Sequence, residues 1–595
     1  MTSQKPYTIA SASSGFMQDP PSLRNQYEDD IVLRNILKKT MPKSILDSIE
    51  PDLSRFGERV IGDILAMGDD VEDPNNYPRL KQYDAWCRRV DEITTAKGWK
   101  ELNDVAAEEG LIAIAYERKY NEYSRIYQFA KQYLYSPSAA MYSCPLSMTG
   151  MIYKNGAARV IELLGTQEMK ETIYSRLISR DPKLFWTSGQ WMTERPGGSD
   201  VSRSETVAEL VDPSTNTWSV SGFKWFSSAT TADIAMLLAR TVDPKQGTVQ
   251  PGSKGLSLFV AKMRNPDGSL NGVHVHRLKN KFGTKGLPTA ELELVGMKAT
   301  MMGNPGRGVP NIASILNISR IYASLGVVSY LRRSLAIAKD FSLKRQVFNQ
   351  TLDKVPLHVT TLAGLELTFR ACIQIVFCCI ELLGRAECQK ATKEDLLLLR
   401  LLTPISKCYV CKIGVQAISE AMEALGGQGY MDDTGLGRLL RDGQVNMIWE
   451  GTTNVMAVDV LRVMRETKNG CLTSFKKVIE KKVKESTQVS DQLTKPGQAI
   501  HTALANIDVF LQSASDQLEA NARQLTFALG RVLAGALLVE QAAFGLSHQI
   551  EGADQDLFAA QQWCIQPDFV QQMTPVIAHV VNQEAKMVYG PNAKI

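Results

Sequence analysis

The sequence lacks any pattern of cysteines that would hold a fold together. Its ten cysteines are scattered over 595 residues without a regular framework, and unpaired thiols are typical of a reducing compartment. Cys408 and Cys411 have the spacing of a redox or zinc pair, but they lie in an apolar helical stretch with no second pair and no histidine nearby. The six histidines also lack metal-ligand spacing. We therefore expect buried structural thiols and no metal site.

Charge and targeting signals are sparse as well. The formal net charge of +4 is too small for a chain of this length to predict binding to nucleic acid or an anionic membrane. The N-terminal segment has neither the apolar core of a signal peptide nor the arginines of a mitochondrial presequence, and no apolar run approaches the length that crosses a bilayer. The C-terminal Ala593-Lys594-Ile595 nearly matches a peroxisomal signal, although a chance ending explains it equally well. We expect a cytoplasmic or peroxisomal protein with no membrane span.

The spacing of apolar residues divides the chain into four regions, because 595 residues are too many for one hydrophobic core. Helical periods dominate residues 1–183, after a polar N-terminal arm, and return in residues 304–466 and 467–595. Residues 184–303 instead contain short runs of β-forming residues between Pro, Gly and Asp clusters. The pattern predicts an α+β, mainly α fold: an N-terminal α-helical domain, a central antiparallel β-barrel domain, a C-terminal four-helix bundle and an extra C-terminal helical domain. Rossmann and TIM folds are excluded because strands and helices do not alternate.

Individual elements stand out within these regions. The clearest strand signals span residues 217–228, 234–241, 256–262 and 290–295. The longest helical periods span residues 316–338, 362–383 and 396–425. We expect the strands to form the barrel and the helices to form the bundle.

Two glycine-rich segments have the composition of ligand-binding loops. Residues 193–200 read Thr-Glu-Arg-Pro-Gly-Gly-Ser-Asp, where glycine lets the backbone approach a ligand and amide and hydroxyl groups can meet a phosphate or a flavin chain. Taken alone, such a segment is usually a simple turn. Residues 426–429 read Gly-Gly-Gln-Gly after a helix. A helix C-cap needs only one glycine, so three in four positions indicate a further constraint.

Two further segments place aromatic residues beside polar groups. Residues 221–228 read Ser-Gly-Phe-Lys-Trp-Phe-Ser-Ser, and residues 345–349 read Arg-Gln-Val-Phe-Asn. A strand with two aromatic residues is more often part of a hydrophobic core. For residues 221–228, the short distance in sequence from the first glycine-rich segment favours a ligand-binding interpretation instead.

Glu450 is the strongest candidate for a catalytic base. It follows the apolar residues Met447, Ile448 and Trp449 and precedes a Gly-Thr-Thr helix start. A lone glutamate is usually solvated, but burial beside Trp449 would raise the pKa of the carboxyl group and make it a competent base near neutral pH.

Together and in this order, these segments resemble the acyl-CoA dehydrogenase superfamily, over most of the chain. The matching family patterns are Thr-Glu-x-x-x-Gly-Ser-Asp, Gly-x-Lys-x-Trp-Ile-Thr, Arg-x-x-Phe-Gly, Leu-Gly-Gly-x-Gly and Ile-Tyr/Trp-Glu-Gly-Thr/Ser. Residues 82–91, 144–149, 277–281 and 458–463, with Trp449 and the extra C-terminal helices, are similar to the AidB-like branch.

The resemblance implies a FAD-dependent oxidoreductase that acts on the CH–CH group of an acyl-CoA. Glu450 is then the base that abstracts the substrate α-proton while the β-hydride goes to flavin N5. The thioester carbonyl is held by the main-chain N–H of Glu450 and a flavin ribityl hydroxyl. Asn317 and Arg320 resemble residues near the thioester arm of CoA. Asn349 replaces a family glycine, and asparagine is the other residue type most tolerant of left-handed backbone angles.

The same resemblance assigns the cofactor contacts. Within one subunit they are Gln190, Trp191, Met192, Thr193, Gly198, Ser199, Phe226, Ser227, Ser228, Ile448, Trp449, Gly451, Thr452, Thr453 and Asn454. Contacts with the FAD of a neighbouring subunit are Arg345, Phe348, Gly426, Gly427 and Gln428. Such shared sites imply a homotetramer built as a dimer of dimers.

Two alternatives to an enzyme stay open at this point. One is an AidB-like alkylation-response flavoprotein that binds nucleic acid, and the other is a fatty-acyl-binding protein with structural FAD. DNA binding requires clustered Lys and Arg, but residues 476–484 form the only such cluster after residue 466, and acidic residues crowd the rest. We therefore expect weak DNA binding or none. The acyl chain, the electron acceptor and the choice between dehydrogenase and oxidase are left open.

Overall fold

The computed structural model describes residues 10–150, 156–514, 517–566, 569–570 and 573–593, with the backbone alone for residues 313–318. Helices dominate, and a seven-stranded sheet lies between two helical parts of the chain. This arrangement confirms the predicted α+β, mainly α fold class. Lys594 and Ile595 of the candidate peroxisomal signal lie outside the described residues.

The N-terminal region combines helices with a hairpin. Its helices are α1 (Ile31–Thr40), α2 (Lys43–Arg59), α3 (Asp63–Glu72), α4 (Lys97–Glu108), α5 (Ala113–Glu117), α6 (Tyr123–Tyr135), α7 (Ser143–Thr149), α8 (Ala157–Leu164), α9 (Gln167–Met169) and α10 (Ser175–Leu177). The hairpin strands are β1 (Arg79–Tyr83) and β2 (Arg89–Thr94). α1 begins at an N-cap, where the Asp30 carboxylate accepts a hydrogen bond from the Leu33 main-chain N–H at 2.9 Å.

The hairpin corrects the purely helical prediction for this region. Its strands are rich in charged and polar residues, so they lack the apolar alternation by which a strand is recognised. The hairpin docks on the sheet, because the Gln82 side-chain amide donates to the main-chain oxygens of Val275 at 2.8 Å and His276 at 2.9 Å.

The central region forms a closed barrel. Its strands are β3 (Ser188–Trp191), β4 (Val207–Asp212), β5 (Thr217–Ser228), β6 (Ile234–Thr241), β7 (Leu256–Lys262), β8 (Val273–Leu278) and β9 (Thr289–Met302). Strands β4, β5, β9, β7 and β6 pair in a ring, while β3 is added to β6 and β8 to β9. Trp191, Trp218 and Phe259 belong to the hydrophobic cluster of these strands. The predicted strands at 217–228, 234–241 and 256–262 have the same bounds as β5, β6 and β7. The fourth predicted strand, residues 290–295, is part of the longer strand β9.

The barrel is not antiparallel throughout. The β4–β6 and β3–β6 pairs are parallel, whereas the other pairs of this sheet are antiparallel. A ring of five strands cannot alternate direction at every step, so closure requires a parallel pair, and β4–β6 is that pair. The apolar patterns of single strands do not reveal this closure.

Long helices form the rest of the molecule. The bundle contains α11 (Gly308–Lys344), α12 (Pro356–Glu387), α13 (Lys393–Glu423), α14 (Leu436–Val445) and α15 (Thr453–Glu466), with a small hairpin, β10 (Gln346–Val347) and β11 (Gln350–Thr351), between α11 and α12. The C-terminal helices are α16 (Gly470–Thr487), α17 (Thr494–Ser513), α18 (Ala522–His548), α19 (Ala553–Ile565) and α20 (Ala578–Tyr589). α13 packs against α11, α12 and α15, and α18 contacts α12, α15 and α16. The extra helices therefore share one hydrophobic core with the bundle.

Two of the described helices, α12 and α18, are long and apolar enough to cross a membrane by length and composition. This finding corrects the prediction that no apolar run approaches that length. Their most apolar windows are 83% and 78% buried inside the protein, as expected of core helices in a bundle, so they are weak indicators of a membrane span.

Candidate active site

Glu450 lies at a left-handed turn between α14 and α15. Its φ is +60°, and Gly451 follows with φ +105°. Thr452 then caps α15, since its hydroxyl oxygen accepts the Val455 main-chain N–H at 3.4 Å. Left-handed angles are uncommon for residues with a side chain and cluster at functional sites. A Cβ at position 451 would come within 2.4 Å of Met456 Cε.

Three side chains hold this turn from neighbouring helices. The Ser319 hydroxyl, on α11, donates to Glu450 Oε2. Arg320, the next residue, donates from Nε to the main-chain oxygen of Glu450 at 3.3 Å. Lys407, inside α13, donates from Nζ to the main-chain oxygen of Gly451. The carboxylate and its peptide are thus fixed from two sides.

Burial dominates the electrostatics of Glu450. Burial raises the pKa of the Glu450 carboxyl group, although the Ser319 hydrogen bond and the positive charges of Arg320 and Lys407 lower it in part. Burial also lowers the pKa of the Lys407 ammonium group. A carboxylate with a raised pKa is suited to accept a proton near neutral pH.

Asp459 on α15 completes the charge balance. It accepts hydrogen bonds from Arg320 Nη1 at 2.8 Å and from Arg400 Nη2 at 2.9 Å. Burial opposes ionisation of Asp459, but the Arg400 hydrogen bond and the charge of Arg320 hold its pKa below the usual range. Arg320 therefore has an ion-pair partner in addition to its contact with Glu450.

The first glycine-rich segment is fastened to the barrel by a buried ion pair. Glu194 Oε1 accepts from Lys224 Nζ at 2.6 Å, and both side chains are almost completely buried. The Trp225 main-chain N–H donates to the Thr193 oxygen at 2.9 Å. A Cβ on Gly198 would lie 2.8 Å from Thr193 Oγ1, so the loop folds back on Thr193. Gly198 and Ser199 are exposed.

The predicted flavin contacts at and near the end of β5 differ in exposure: two are accessible and two are buried. The Phe226 ring is 52% exposed, and Ser228 is half-buried with its hydroxyl 3.0 Å from that of Thr289 on β9. Ser227, between them, is buried, and its hydroxyl has no partner among the described residues. Trp191 is buried in the barrel and donates to the Ser228 main-chain oxygen at 3.3 Å. The side chains of Trp191 and Ser227 are not brought to the surface.

The remaining residues of the predicted cofactor site vary in exposure. Gln190 and Met192 are half-buried on or beside β3. Trp449 is half-buried and donates from Nε1 to Asn446 Oδ1 at 2.9 Å. Close to Glu450 in the sequence, the exposed residues are Ile448, Thr452 and Asn454. Thr453 is half-buried.

The residues predicted to contact the FAD of a neighbouring subunit lie on the surface of this chain. Phe348 is 95% exposed and forms, with Asn349, the tight turn between β10 and β11, at φ +48° and +64°. Arg345 lies beside the Phe16 ring, 5.8 Å from its centroid. Gly426, at φ +61°, begins an exposed turn that includes Gly427 and Gln428. In the described part of the chain, no hydrogen bond joins these residues to Glu450 or Thr193.

Arg320 is the predicted substrate residue that the structure brings to Glu450, whereas the side chain of Asn317 lies outside the described residues. Sequence reasoning missed Ser319, Lys407 and Asp459. Ser319 lies inside the Leu-Asn-Ile-Ser-Arg motif, and Lys407 is a lone charge in an apolar helical run. That incongruity was a usable signal for Lys407, because a fully buried lysine needs a partner.

The residues present fit a flavin nucleotide. A half-exposed aromatic ring stands beside Ser228, and an exposed Gly-Ser loop lies next to Thr193. At Gly426 and Gly427, apart from the glycine itself and its chain neighbours, no atom of the described residues lies within 4 Å of the position that a Cβ would occupy, so that turn is open to a ligand. Among the described residues, no group of three or more His, Cys, Asp or Glu side chains has the arrangement of a metal site.

Family models match four consecutive parts of the chain. They are the adaptive response protein AidB N-terminal domain over residues 18–180, the acyl-CoA dehydrogenase middle domain over 189–297, the acyl-CoA dehydrogenase C-terminal domain over 306–464 and the acyl-CoA dehydrogenase 11 C-terminal domain-like model over 470–589.

Similar proteins share most of this length. Acyl-CoA dehydrogenase family member 11 of Caenorhabditis elegans is 41% identical over 94% of this chain and 90% of its own. The putative acyl-CoA dehydrogenase AidB of Escherichia coli is 30% identical over 66% of this chain and 70% of its own. The crystal structure of C. elegans ACDH-11 in complex with C11-CoA has a TM-score of 0.93, 40% identity and 99% coverage of both chains. The Bd2924 apo-form has a TM-score of 0.79 and 43% identity, over 89% of this chain and 100% of that one.

These similarities and the arrangement around Glu450 confirm the resemblance that the sequence motifs indicated, and with it FAD as the cofactor of the family. The chain belongs to the acyl-CoA dehydrogenase family, in its AidB-like branch.

Proposed function

We propose that the protein is a FAD-dependent acyl-CoA dehydrogenase in which Glu450 is the catalytic base. The observation that carries this proposal is the fixed carboxylate: Glu450 has a raised pKa, a left-handed backbone and a hydrogen bond from Ser319. Family membership and the C11-CoA bound to C. elegans ACDH-11 support an acyl-CoA thioester as the substrate.

The residues of the chain have distinct tasks in this mechanism. Glu450 removes a proton from the carbon next to the thioester carbonyl. The proton binds to a carboxylate oxygen, whose negative charge burial disfavours in the resting state. Gly451 has no side chain that would block the approach of substrate to the carboxylate. The flavin, when bound, supplies the acceptor of the β-hydride.

The barrel and the bundle hold the two sides of this site. Thr193, Gly198, Ser199, Phe226 and Ser228 would hold the flavin on the barrel side. We assign Arg320 to the positioning of Glu450, since its guanidinium group contacts Asp459 and the Glu450 peptide. Asn317 stays the candidate for the thioester arm of CoA.

A shared site supports a homotetramer. Arg345, Phe348 and Gly426–Gln428 match motifs that contact the FAD of an adjacent subunit in the family, and Phe348 and the Gly426 turn are exposed in the isolated chain. We propose a dimer of dimers, which predicts a tetrameric mass in solution. A monomer that retains FAD would contradict this assembly.

The location of the protein stays a proposal. The C-terminal Ala593-Lys594-Ile595 favours the peroxisome over the cytoplasm only weakly. Imaging of the full chain in cells, with and without the last three residues, separates the two: import that requires these residues supports a peroxisomal address, and an unchanged diffuse signal supports the cytoplasm.

Anaerobic titration of the FAD-loaded protein with straight-chain acyl-CoAs tests the activity. We expect the oxidised flavin absorbance to bleach with at least one chain length. Acyl-CoA binding without bleaching at any length would favour the fatty-acyl-binding alternative with structural FAD. Protein that takes up no FAD would refute the proposed function.

A further inference from the structure

The basic motif at residues 277–281 is not used by the mechanism described so far, yet it lies against the barrel face assigned to the flavin. Its first two cations share one carboxylate: Arg277 Nε and Lys279 Nζ contact Glu291 Oε1 at 2.7 and 2.6 Å. Lys279 also lies 3.2 Å from the centroid of the Trp225 ring and 4.7 Å from that of Phe226. The charge of Lys279 is thus partly neutralised by Glu291.

Lys281 differs from both. Its Nζ donates to the main-chain oxygen of Leu287 at 2.6 Å and to Thr289 Oγ1 at 3.1 Å, and the described residues place no carboxylate within salt-bridge distance of it. The positive charge of Lys281 is therefore held in a largely buried place by neutral oxygens.

The contacts of Lys281 begin a chain of hydrogen bonds that reaches Ser228. Thr289 and Ser228 are paired across β9 and β5, with their hydroxyl oxygens 3.0 Å apart. An ammonium group has no acceptor, so Lys281 can only donate to Thr289. The Thr289 hydroxyl can then donate its own proton to Ser228, which leaves the Ser228 hydroxyl proton available to another acceptor. Consecutive hydrogen bonds of this kind polarise one another.

We propose that Lys281 is a positioning residue that raises the reduction potential of the bound flavin, acting through Thr289 and Ser228. The inference rests on the proposed function only in that it requires FAD beside Ser228. Reduction adds negative charge to the flavin, and the positive charge of Lys281, two hydrogen bonds from the Ser228 hydroxyl, stabilises the reduced form. At such distances the interaction changes the equilibrium constant of reduction by roughly tenfold or more.

The charge of Lys281 also titrates in an accessible range. Burial lowers the pKa of the Lys281 ammonium group to about 8; Cys144 on α7, Asp442 on α14 and Glu72 on α3 oppose this shift, and Lys285 in the same loop adds to it. Reduction of the flavin favours the charged form and so raises this pKa. Reduction above pH 8 is then accompanied by uptake of an additional proton at Lys281.

The test is the potential of the FAD-loaded protein, measured by equilibration with a reference dye and therefore independent of any acyl substrate. For Lys281→Met we expect an equilibrium constant of reduction at least tenfold lower at pH 7, which is a drop of about 30 mV for a two-electron couple. Lys281→Arg should retain most of the parent potential. Thr289→Val should give an intermediate loss, because it breaks the hydrogen-bond chain and leaves the charge.

Lys298→Met is the matched control, since Lys298 is exposed on the same strand as Thr289 and should leave the potential unchanged. If Lys281→Met binds FAD with the potential of the parent, the inference is wrong. If Lys281→Met does not fold, the parent alone decides: its potential must fall more steeply with pH above 8 than below, and a constant slope would overturn the inference. If the Lys281 and Thr289 variants have the potential of the parent and acyl-CoA still reduces the flavin normally, the proposed role of Lys281 is refuted. The proposed function of the protein is then unaffected.

Discussion

The two walls of the candidate active site are built on different principles. The helix wall, formed by Glu450, Ser319, Arg320, Lys407 and Asp459, is a network of charged groups and one hydroxyl around a left-handed turn, in which Glu450 is half-buried and the other members are buried. The barrel wall, formed by Thr193, Gly198, Ser199, Phe226 and Ser228, presents neutral groups from a loop and a regular strand, and the buried ion pair Glu194–Lys224 lies behind the surface.

This difference fits the task that we propose for each wall. A base must change its charge during the reaction, so its surroundings have to balance two protonation states. A surface that holds a planar, largely neutral ring needs shape and hydrogen bonds, which a strand supplies with little strain. Substitutions in the helix wall are therefore expected to change the chemistry, and substitutions of the Glu194–Lys224 pair behind the barrel wall to change stability and cofactor retention.

The sharpest test of the helix wall is Glu450→Gln. It preserves the side-chain volume and removes the base, so flavin reduction by an acyl-CoA is expected to slow by roughly 10²–10⁴-fold, while FAD stays bound. Anaerobic stopped-flow absorbance measures the rate. Glu58→Gln, an exposed position on α2, is the matched control and should react like the parent. Equal rates for Glu450→Gln and the parent would show that Glu450 is not the base.

The barrel wall is tested by Glu194→Ala. This change leaves the fully buried Lys224 ammonium group without its carboxylate, which is expected to lower the free energy of unfolding by about 3–5 kcal/mol. Denaturant unfolding and FAD retention measure the effect. The double variant Glu194→Leu, Lys224→Met removes both charges and should recover most of the stability. A double variant as unstable as the single one would contradict the assignment of the loss to an unpaired charge.

Gly451→Ala tests the left-handed turn. At φ +105° a side chain is strained, and the added Cβ would lie 2.4 Å from Met456 Cε, so we expect a loss of about 1–3 kcal/mol in unfolding free energy. Gly364→Ala lies in the exposed part of α12, where the added Cβ would meet no side chain within 4 Å among the described residues. It should have the opposite sign and stabilise by about 1 kcal/mol. Thermal unfolding under identical conditions compares the two, and a neutral Gly451→Ala would remove the argument for a strained turn.

Ser319→Ala tests the charge balance of the base. Burial raises the pKa of Glu450 and the Ser319 hydrogen bond lowers it, so loss of the hydroxyl should raise the pKa further. Catalysis needs the carboxylate, and the rate therefore falls as pH drops through this pKa. In Ser319→Ala the acid limb of the pH–rate profile should move to higher pH, with the high-pH plateau retained. An acid limb at the parent position would contradict a role of Ser319 in setting the pKa.

The same shift has a consequence for stability. Because the pKa of Glu450 is raised in the folded state, its contribution to stability is fully present below the unfolded pKa and is lost as pH rises through the folded pKa. Glu450→Gln, which cannot ionise, is therefore expected to unfold at a higher temperature than the parent at neutral pH and at a similar temperature in acid. Calorimetry at the two pH values measures the difference.

The sequence was informative where local pattern and family motif coincide. The strands at 217–228, 234–241 and 256–262 and the candidate base Glu450 are local features, recognisable from spacing and neighbours. Closure of the barrel through the parallel β4–β6 pair could not be recognised in this way, because it depends on the pairing of two strands that are not consecutive in the chain. Ser319, Lys407 and Asp459 come from three different helices. Packing brings Ser319 and Lys407 to the Glu450 turn, and Asp459 is linked to it through Arg320. The limits of the four predicted domains stay a prediction.

The smallest expected effect is that of lysine substitutions in α16 on DNA binding. These lysines lie outside the active site but can be compared with the charged residues of the helix wall. As in the helix wall, three of these cations already have partners: Lys476 contacts Asp508, Lys482 contacts Glu540, and Lys477 Nζ lies 2.6 Å from Glu394 Oε1. A phosphate backbone would have to compete with these carboxylates. We expect duplex DNA to bind with no more than non-specific affinity, a Kd of roughly 10⁻⁴–10⁻⁶ M at physiological salt, and Lys476→Gln with Lys477→Gln to change it little. Fluorescence anisotropy over a salt series measures both, and tight binding that these substitutions abolish would establish the nucleic-acid-binding alternative.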